Sequence, residues 1–304
     1  MALEKTLIVI LGPTGVGKTE LCLTIAEHLR CDIINCDSRQ LFREIPIGTA
    51  APTAEQQQRV RHHFVGTLSL TDYFSASEYE QAVMQLLSES DADTYILSGG
   101  SMMYIDAVCN GIDEMPTIKE ELREKLKRRL ESEGLDVLVE ELHRLDPVHW
   151  ETVDRKNPRR ILHALEVCLQ TGLPYSSFMK RERKQRPFNI IKIGLTRPRE
   201  ELYERINQRV LQMVDDGLIE EARRVYPQRK HNSLNTVGYK EMFEHFDGIT
   251  DLPEAIRRIQ SNSRKYMRKQ ETWFKRDKEI VWFHPSEVKE IIKYIDDSLL
   301  LKRK

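Results

Sequence analysis

The segment Gly12-Pro13-Thr14-Gly15-Val16-Gly17-Lys18-Thr19 fits the pattern G-x-x-x-x-G-K-[ST], and it limits the fold more tightly than any other stretch. The pattern carries meaning only between a strand and a helix. Leu7-Ile8-Val9-Ile10-Leu11 is a continuous apolar run, as expected of a parallel strand buried on both faces. Behind the loop, Leu21, Leu23, Ile25, Ala26 and Leu29 supply a helical apolar pattern. Glycines let the backbone curl so that several N–H groups converge, and the helix start adds positive potential. Lys18 contributes a point charge and Thr19 a hydroxyl suited to Mg²⁺. Gly12 to Thr19 is therefore read as the grip for a diphosphate group, with a glycine turn and an incidental lysine as the bland competitor.

Ile33-Ile34-Asn35-Cys36 forms a second short strand ending on Asp37, and Tyr95-Ile96-Leu97-Ser98 a third ending on Gly99-Gly100. Strands separated by helical stretches predict an α/β fold: a nucleotide-kinase-like parallel sheet flanked by helices. From Pro116 the pattern changes to charged helices, as in Glu121 to Glu133 with Leu122, Leu126 and Leu130 at helical spacing. A strand returns at 189–195, a helix at Tyr203 to Asp215 and a last strand at Ile280 to Phe283. The expected organisation is a core of residues 1–115 and 187–304 interrupted by a helical insertion at 116–186.

Length and composition fit this picture. With 304 residues and 40% hydrophobic content the chain can bury a substantial core. Its 47 Lys+Arg against 48 Asp+Glu leave no whole-molecule field, so any nucleic-acid binding must use a local patch. Two basic clusters offer one. The first spans Arg155, Lys156, Arg159, Arg160, Lys180, Arg181, Arg183, Lys184 and Arg186; the second spans Arg257, Arg258, Arg264, Lys265, Arg268, Lys269, Lys275 and Arg276. Solvated helix faces would look the same. Five cysteines without a Cys-x-x-Cys pair argue against a disulfide framework or zinc ribbon, and the short run at Leu7 to Leu11 is no membrane span. A cytoplasmic protein is expected.

Phosphate-binding enzymes of this type often hold Mg²⁺ through an acid closing a second strand. The strand at Tyr95 to Ser98 ends without one. Asp37 closes the other strand, one sheet position from the loop in the order of nucleotide kinases, and would face a ligand at the carboxyl edge of the sheet. It could equally cap the turn that follows.

With these residues assembled, the sequence resembles the tRNA dimethylallyltransferase (tRNA isopentenyltransferase) family over nearly its whole length. The resemblance rests on the glycine loop, Asp37-Ser38-Arg39-Gln40, Ile47-Gly48-Thr49-Ala50, Gly99 to Tyr104, Arg160 with Ala164-Leu165-Glu166-Val167, Val237-Gly238-Tyr239-Lys240, and Arg264 to Phe274. Departures are mild: Phe42 for a usual Tyr, Ser101 for Thr, His163 for Arg, and Arg268-Lys269-Gln270 for Lys-Arg-Gln. Ser101 keeps its hydroxyl, whereas His163 weakens one expected RNA contact. The Cys/His finger of eukaryotic relatives is missing, as in the short bacterial form.

The resemblance implies attack of the N6 amine of the adenosine 3′ of the anticodon on C1 of dimethylallyl diphosphate. Lys18, Thr19 and Mg²⁺ would hold the leaving diphosphate, Asp37 would accept the amine proton, and Arg264 is a further candidate for the diphosphate. Ser38, Arg39, Gln40 and Ser101 would line the adenine site. Arg123, the run Arg159-Arg160-Ile161-Leu162-His163, and Asn235-Thr236-Val237-Gly238-Tyr239-Lys240 would meet tRNA. The expected partners are tRNA and dimethylallyl diphosphate, and the chain is expected to be monomeric. Three rival readings remain: a small-molecule kinase, a prenyltransferase of free adenine nucleotides, and an RNA-binding switch driven by nucleotide.

Overall fold

The structure, a computed structural model, describes residues 5–113, 115–179 and 183–302. It divides into two compact units, one of Met1–Cys109 with Arg186–Lys304 and the other of Asn110–Gln185.

The first unit is built on a six-stranded sheet, parallel at every pairing, in the order β3-β2-β4-β1-β5-β6. Its strands are β1 (Thr6–Leu11), β2 (Ile33–Asn35), β3 (His62–His63), β4 (Thr94–Ser98), β5 (Asn189–Leu195) and β6 (Val281–Phe283). Helices α1 (Lys18–Leu29), α2 (Pro46–Thr49), α3 (Ala54–Arg59), α4 (Ala76–Glu89) and α5 (Met102–Asn110) connect the first four strands or follow them. The second unit holds α6 (Glu120–Glu133), α7 (Leu135–Leu145), α8 (Pro147–Thr152) and α9 (Pro158–Thr171). After β5 come α10 (Arg199–Asp215), α11 (Leu218–Val225), α12 (Tyr239–Phe246), α13 (Leu252–Phe274) and, beyond β6, α14 (Val288–Lys302).

The period of two in a strand decides which residues of β1 meet which helices. Ile8 and Ile10 pack with Leu21 and Ile25 of α1 and Ile291 and Ile295 of α14. Leu7, Val9 and Leu11 pack with Tyr79, Val83 and Leu87 of α4 and with Ile105 and Val108 of α5. Burying both faces explains why β1 shows no alternation. Each such aliphatic contributes about 1.5–3 kcal/mol on leaving water.

Two expectations need correction. The two-residue strand β3 makes the strand at Thr94–Ser98 the fourth, and two half-buried histidines carry too little pattern to announce a strand. β4 also lies between β2 and β1, so the strand bearing Asp37 is not the neighbour of the loop-bearing strand.

In the second unit Leu126, Leu138, Leu142, Ile161, Ala164, Leu165 and Cys168 form a core of their own. Its turns are fixed by caps. Asp146 accepts from His149 N at 2.9 Å ahead of Pro147, and Asn157 accepts from Arg160 N ahead of Pro158. Asp146 is buried and also takes the Ser176 amide and hydroxyl at 2.6 and 2.8 Å, so all its contacts are spent on the fold. The unit begins at Asn110, before the expected start at Pro116.

All five cysteines are free and buried. No helix among the described residues is long and apolar enough to cross a membrane.

Candidate active site

The carboxyl ends of β1, β2 and β4 open into a cavity of about 1330 Å³, lined among others by Thr14, Gly15, Gly17, Lys18, Thr19, Asp37, Gln40, Gly99, Gly100, Arg205, Arg209, Tyr266 and Gln270. The loop owes its curl to glycine at two demanding positions. A Cβ on Gly12 would stand 2.7 Å from the Leu195 carbonyl oxygen, and Gly17, the residue capping α1, has φ 107°. Lys18 donates to the carbonyls of Gly12 at 2.9 Å and Pro13 at 3.0 Å. Burial, reinforced by the charge of Arg209, pushes its ammonium down to about 8.

Arginines from one neighbourhood clasp the loop. Arg197, just before α10, donates to Val16 O at 2.8 Å, and Arg205 donates to Gly15 O at 2.8 Å. Arg209 donates to the Thr14 hydroxyl at 3.2 Å; burial lowers its guanidinium below the ordinary value while the charge of Asp37 opposes that shift. The loop thus meets four cations before any anion arrives.

Asp37 is placed by the seam between β2 and the loop after β4. Cys36 N donates to Ser98 O at 2.8 Å and Ser101 N to Cys36 O at 3.1 Å. A Cβ on Gly99 would lie 2.3 Å from the Cys36 carbonyl carbon, so only glycine allows this approach. Asp37 Oδ1 accepts the Arg39 amide at 2.9 Å, which is the turn-capping bond; Oδ2 faces Gly100. Capping and facing the cavity are therefore roles of the two oxygens of one carboxylate. The Ser101 hydroxyl accepts from Ser38 N at 2.8 Å and donates to the Ser38 hydroxyl at 2.9 Å, bracing the same turn.

Other expected site residues have different surroundings. Gly12, Pro13 and Val16 are buried within the loop. Arg39 is tied to the carbonyls of Asn232 and Ser233, both at 3.1 Å, and burial lowers its guanidinium. Gln40 lines the cavity but donates to Thr49 O and Ala50 O, both at 3.0 Å. Arg264 does not line the cavity: it bonds Asn207 and lies over the Tyr203 ring. Of Asn235 to Lys240, Gly238 and Tyr239 are buried and Lys240 is exposed, with Asn235, Thr236 and Val237 half-buried.

In the helical unit Arg159, Arg160 and His163 are exposed, Leu162 is half-buried, and Ile161 is fully buried in the core. Arg123 lies 3.9 Å from Glu166, which His163 approaches at 3.5 Å. The expected basic clusters shrink. Arg186 belongs to the first unit, where it is buried in an ion pair with Glu80 at 2.6 Å and cannot meet a polyanion. Arg257 pairs with Glu254, and Arg258 with Glu244 and Glu254, so these two form a solvated, balanced face. Lys180 and Arg181 lie outside the described residues.

The sequence reading missed Arg209, Gln270, Tyr266, Arg197 and Arg205. Gln270 and Tyr266 stood inside the Arg264 to Phe274 block without a role. Arg209 sits in a helix whose charges look solvated until α10 is docked on the loop.

No group of three or more His, Cys, Asp or Glu is gathered for a metal among the described residues. Thr19, exposed on the cavity wall, offers a hydroxyl. One hydroxyl completed by phosphate oxygens and water is a donor set that suits Mg²⁺ rather than a metal needing an all-protein cage.

Sheet and loop together define the class: a P-loop α/β protein. The IPP transferase family model matches residues 40–277, and the chain belongs to that family. It is 62% identical over 295 residues to tRNA dimethylallyltransferase 1 of Phocaeicola vulgatus, covering 96% of this chain and 98% of the relative. It is 58% identical to tRNA dimethylallyltransferase 1 of Bacteroides fragilis, covering 97% and 99%. Among solved structures it is similar to the full-length tRNA isopentenylpyrophosphate transferase of Bacillus halodurans, with TM-score 0.72, 34% identity and 98% of each chain covered. A eukaryotic dimethylallyltransferase acting on tRNA matches with TM-score 0.75 and 25% identity over 88% of this chain and 69% of that one.

Proposed function

We propose that the chain transfers a dimethylallyl group from dimethylallyl diphosphate to N6 of the adenosine 3′ of the anticodon in tRNA, releasing diphosphate. One observation carries the reading: the Lys18 loop and the Asp37 carboxylate, brought by different strands, line a single cavity. The relatives named above are called tRNA dimethylallyl- or isopentenylpyrophosphate transferases, which supports the group transferred and tRNA as its acceptor.

In this reading N6 attacks C1 of the donor as the C1–O bond breaks, and the diphosphate departs with the bonding pair. Charge grows on the leaving group, so cations that hold it more tightly in the transition state lower the barrier. Lys18, Arg209 and the loop amides supply that field, while Thr19 would hold a Mg²⁺ that adds charge neutralisation when bound. The proton lost by N6 goes to Asp37, whose Oδ2 is the oxygen not engaged by the Arg39 amide. An adenine presented from a loop is easier to splay into a cavity than one stacked in a duplex. Side-chain contact with RNA is assigned to exposed Arg159, Arg160, His163 and Lys240 rather than to buried Ile161 or Tyr239.

Incubation with unmodified tRNA and dimethylallyl diphosphate, followed by mass analysis of the nucleosides, should yield one prenylated adenosine. Consumption of ATP with no gain of mass on tRNA would sink the proposal in favour of a kinase. Asp37→Asn should bind both substrates nearly as the parent does yet lose about 10²–10⁴ in turnover. Full activity would move the proton acceptor elsewhere.

A further inference from the structure

Gln270 is a cavity-lining residue to which the chemistry above gives no task. It lies in α13, is fully buried, and uses both ends of its amide. Oε1 accepts the Thr14 N–H at 2.8 Å, and Nε2 donates to the Gly100 carbonyl at 2.8 Å. One side chain thus joins the phosphate loop after β1 to the loop after β4.

Gly100 is the residue that Asp37 faces. A Cβ built there would lie 2.9 Å from Asp37 Oδ2 and 3.2 Å from Gln270 Nε2, so carboxylate and amide flank the same point. Tyr266 donates to the Gly100 carbonyl as well, at 2.9 Å. A buried helix position could be filled by leucine more simply, because burying an amide surrenders its hydration and the hydrogen bonds that replace it return little net stability. What the amide adds is geometry. It spans the donor-holding loop and the ledge beside the proton acceptor, and a displacement of about 1 Å between reacting groups can cost on the order of 100-fold in rate.

We propose that Gln270 is a positioning residue, holding the donor loop and the Asp37 ledge at the separation the transfer step needs. It acts through Thr14 and Gly100, and the idea rests on the transfer reaction proposed above. Each bond has a distinct duty: the acceptor oxygen restrains the loop at Thr14, and the donor restrains the ledge at Gly100 together with Tyr266.

Two substitutions in the full chain test this. Gln270→Leu removes both bonds at similar volume; Gln270→Glu keeps an acceptor for Thr14 but sets a carboxylate against the Gly100 carbonyl. Both should lower kcat by about 10- to 100-fold while KM for dimethylallyl diphosphate and for tRNA stays within about threefold. Amide hydrogen exchange of the substrate-free chain supplies a readout independent of turnover: Thr14 N–H should exchange at least about tenfold faster in Gln270→Leu and remain protected in Gln270→Glu. A folded Gln270→Leu with parental kcat overturns the proposal, as does a loss confined to donor KM. If the parent chain itself transfers nothing, the assigned reaction fails. The bridge is then judged by exchange alone, and parental Thr14 protection in Gln270→Leu overturns it.

Discussion

Lys18 holds its proton less tightly than an ordinary lysine, and the sign of that shift sets a pH dependence. With its value lowered to about 8 from 10.5, the folded chain loses this charge well before the unfolded chain does. Between those two pH values the unfolded state binds more protons, so the contribution of Lys18 to stability rises with pH across that window. Diphosphate binding has the opposite sense, because the anion needs the ammonium. Affinity for dimethylallyl diphosphate should therefore weaken above about pH 8, approaching tenfold per pH unit, and Lys18→Ala should lack that limb. A parent titration indistinguishable from that of Lys18→Ala between pH 7 and pH 9.5 would mean another group carries the phosphate charge. The grip itself was readable because its eight residues are contiguous. Arg209 and Gln270 were not, since the Thr14–Gln270 bond joins positions 256 residues apart and leaves no local pattern.

At the scale of elements the contrast is between period and placement. β1, β4 and β5 announce themselves as apolar runs, and α1, α6 and α10 as helical ones, because each is long enough to repeat. β3 and α2 are too short for any period. Yet α2 forms part of the cavity wall through Ile47 and the turn to Ala50, and its fixation comes from a distant buried acid. Glu221 of α11 is fully buried and accepts the Ile47 and Gly48 amides at 2.9 and 2.8 Å and the Tyr239 hydroxyl at 2.5 Å. Its neighbour Glu220 is exposed, and only the helical spacing with Leu218, Ala222 and Val225 puts Glu221 on the buried face. Burial and the neighbouring carboxylate raise the Tyr239 hydroxyl above its ordinary value, so the tyrosine remains the donor. Glu221→Gln turns an N–H₂ group toward at least one of these donors and should cost about 1–3 kcal/mol of stability. Tyr239→Phe loses the hydroxyl's bonds to Glu221 and the Ile45 carbonyl but leaves both α2 amides their acceptor, and should cost less. Urea midpoints read both, and an unshifted Glu221→Gln midpoint would show that α2 is anchored in another way.

For the whole molecule, near-equal numbers of acids and bases mean that attraction to a polyanion must be local. The structure removes part of what the sequence offered: Arg186 is consumed by Glu80, and Arg257 and Arg258 by Glu254 and Glu244. Arg159 and Arg160 survive this subtraction. They are exposed, in the first turn of α9, which contains no acid, and no carboxylate lies within ion-pairing distance of either among the described residues. Two cations at a helix N-terminus oppose the helix dipole, so the fold gains nothing from them there. An approaching phosphate gains from both the charges and the dipole. Converting both to Gln should therefore leave the chain as stable as the parent or slightly more so. Apparent KM for tRNA should rise while that for dimethylallyl diphosphate holds, because phosphate contacts position RNA without entering the chemical step. Each lost contact should also flatten the plot of log affinity against log salt by about one unit. Parental tRNA affinity and salt slope in the double variant, or a defect confined to the donor, would show that α9 does not hold tRNA.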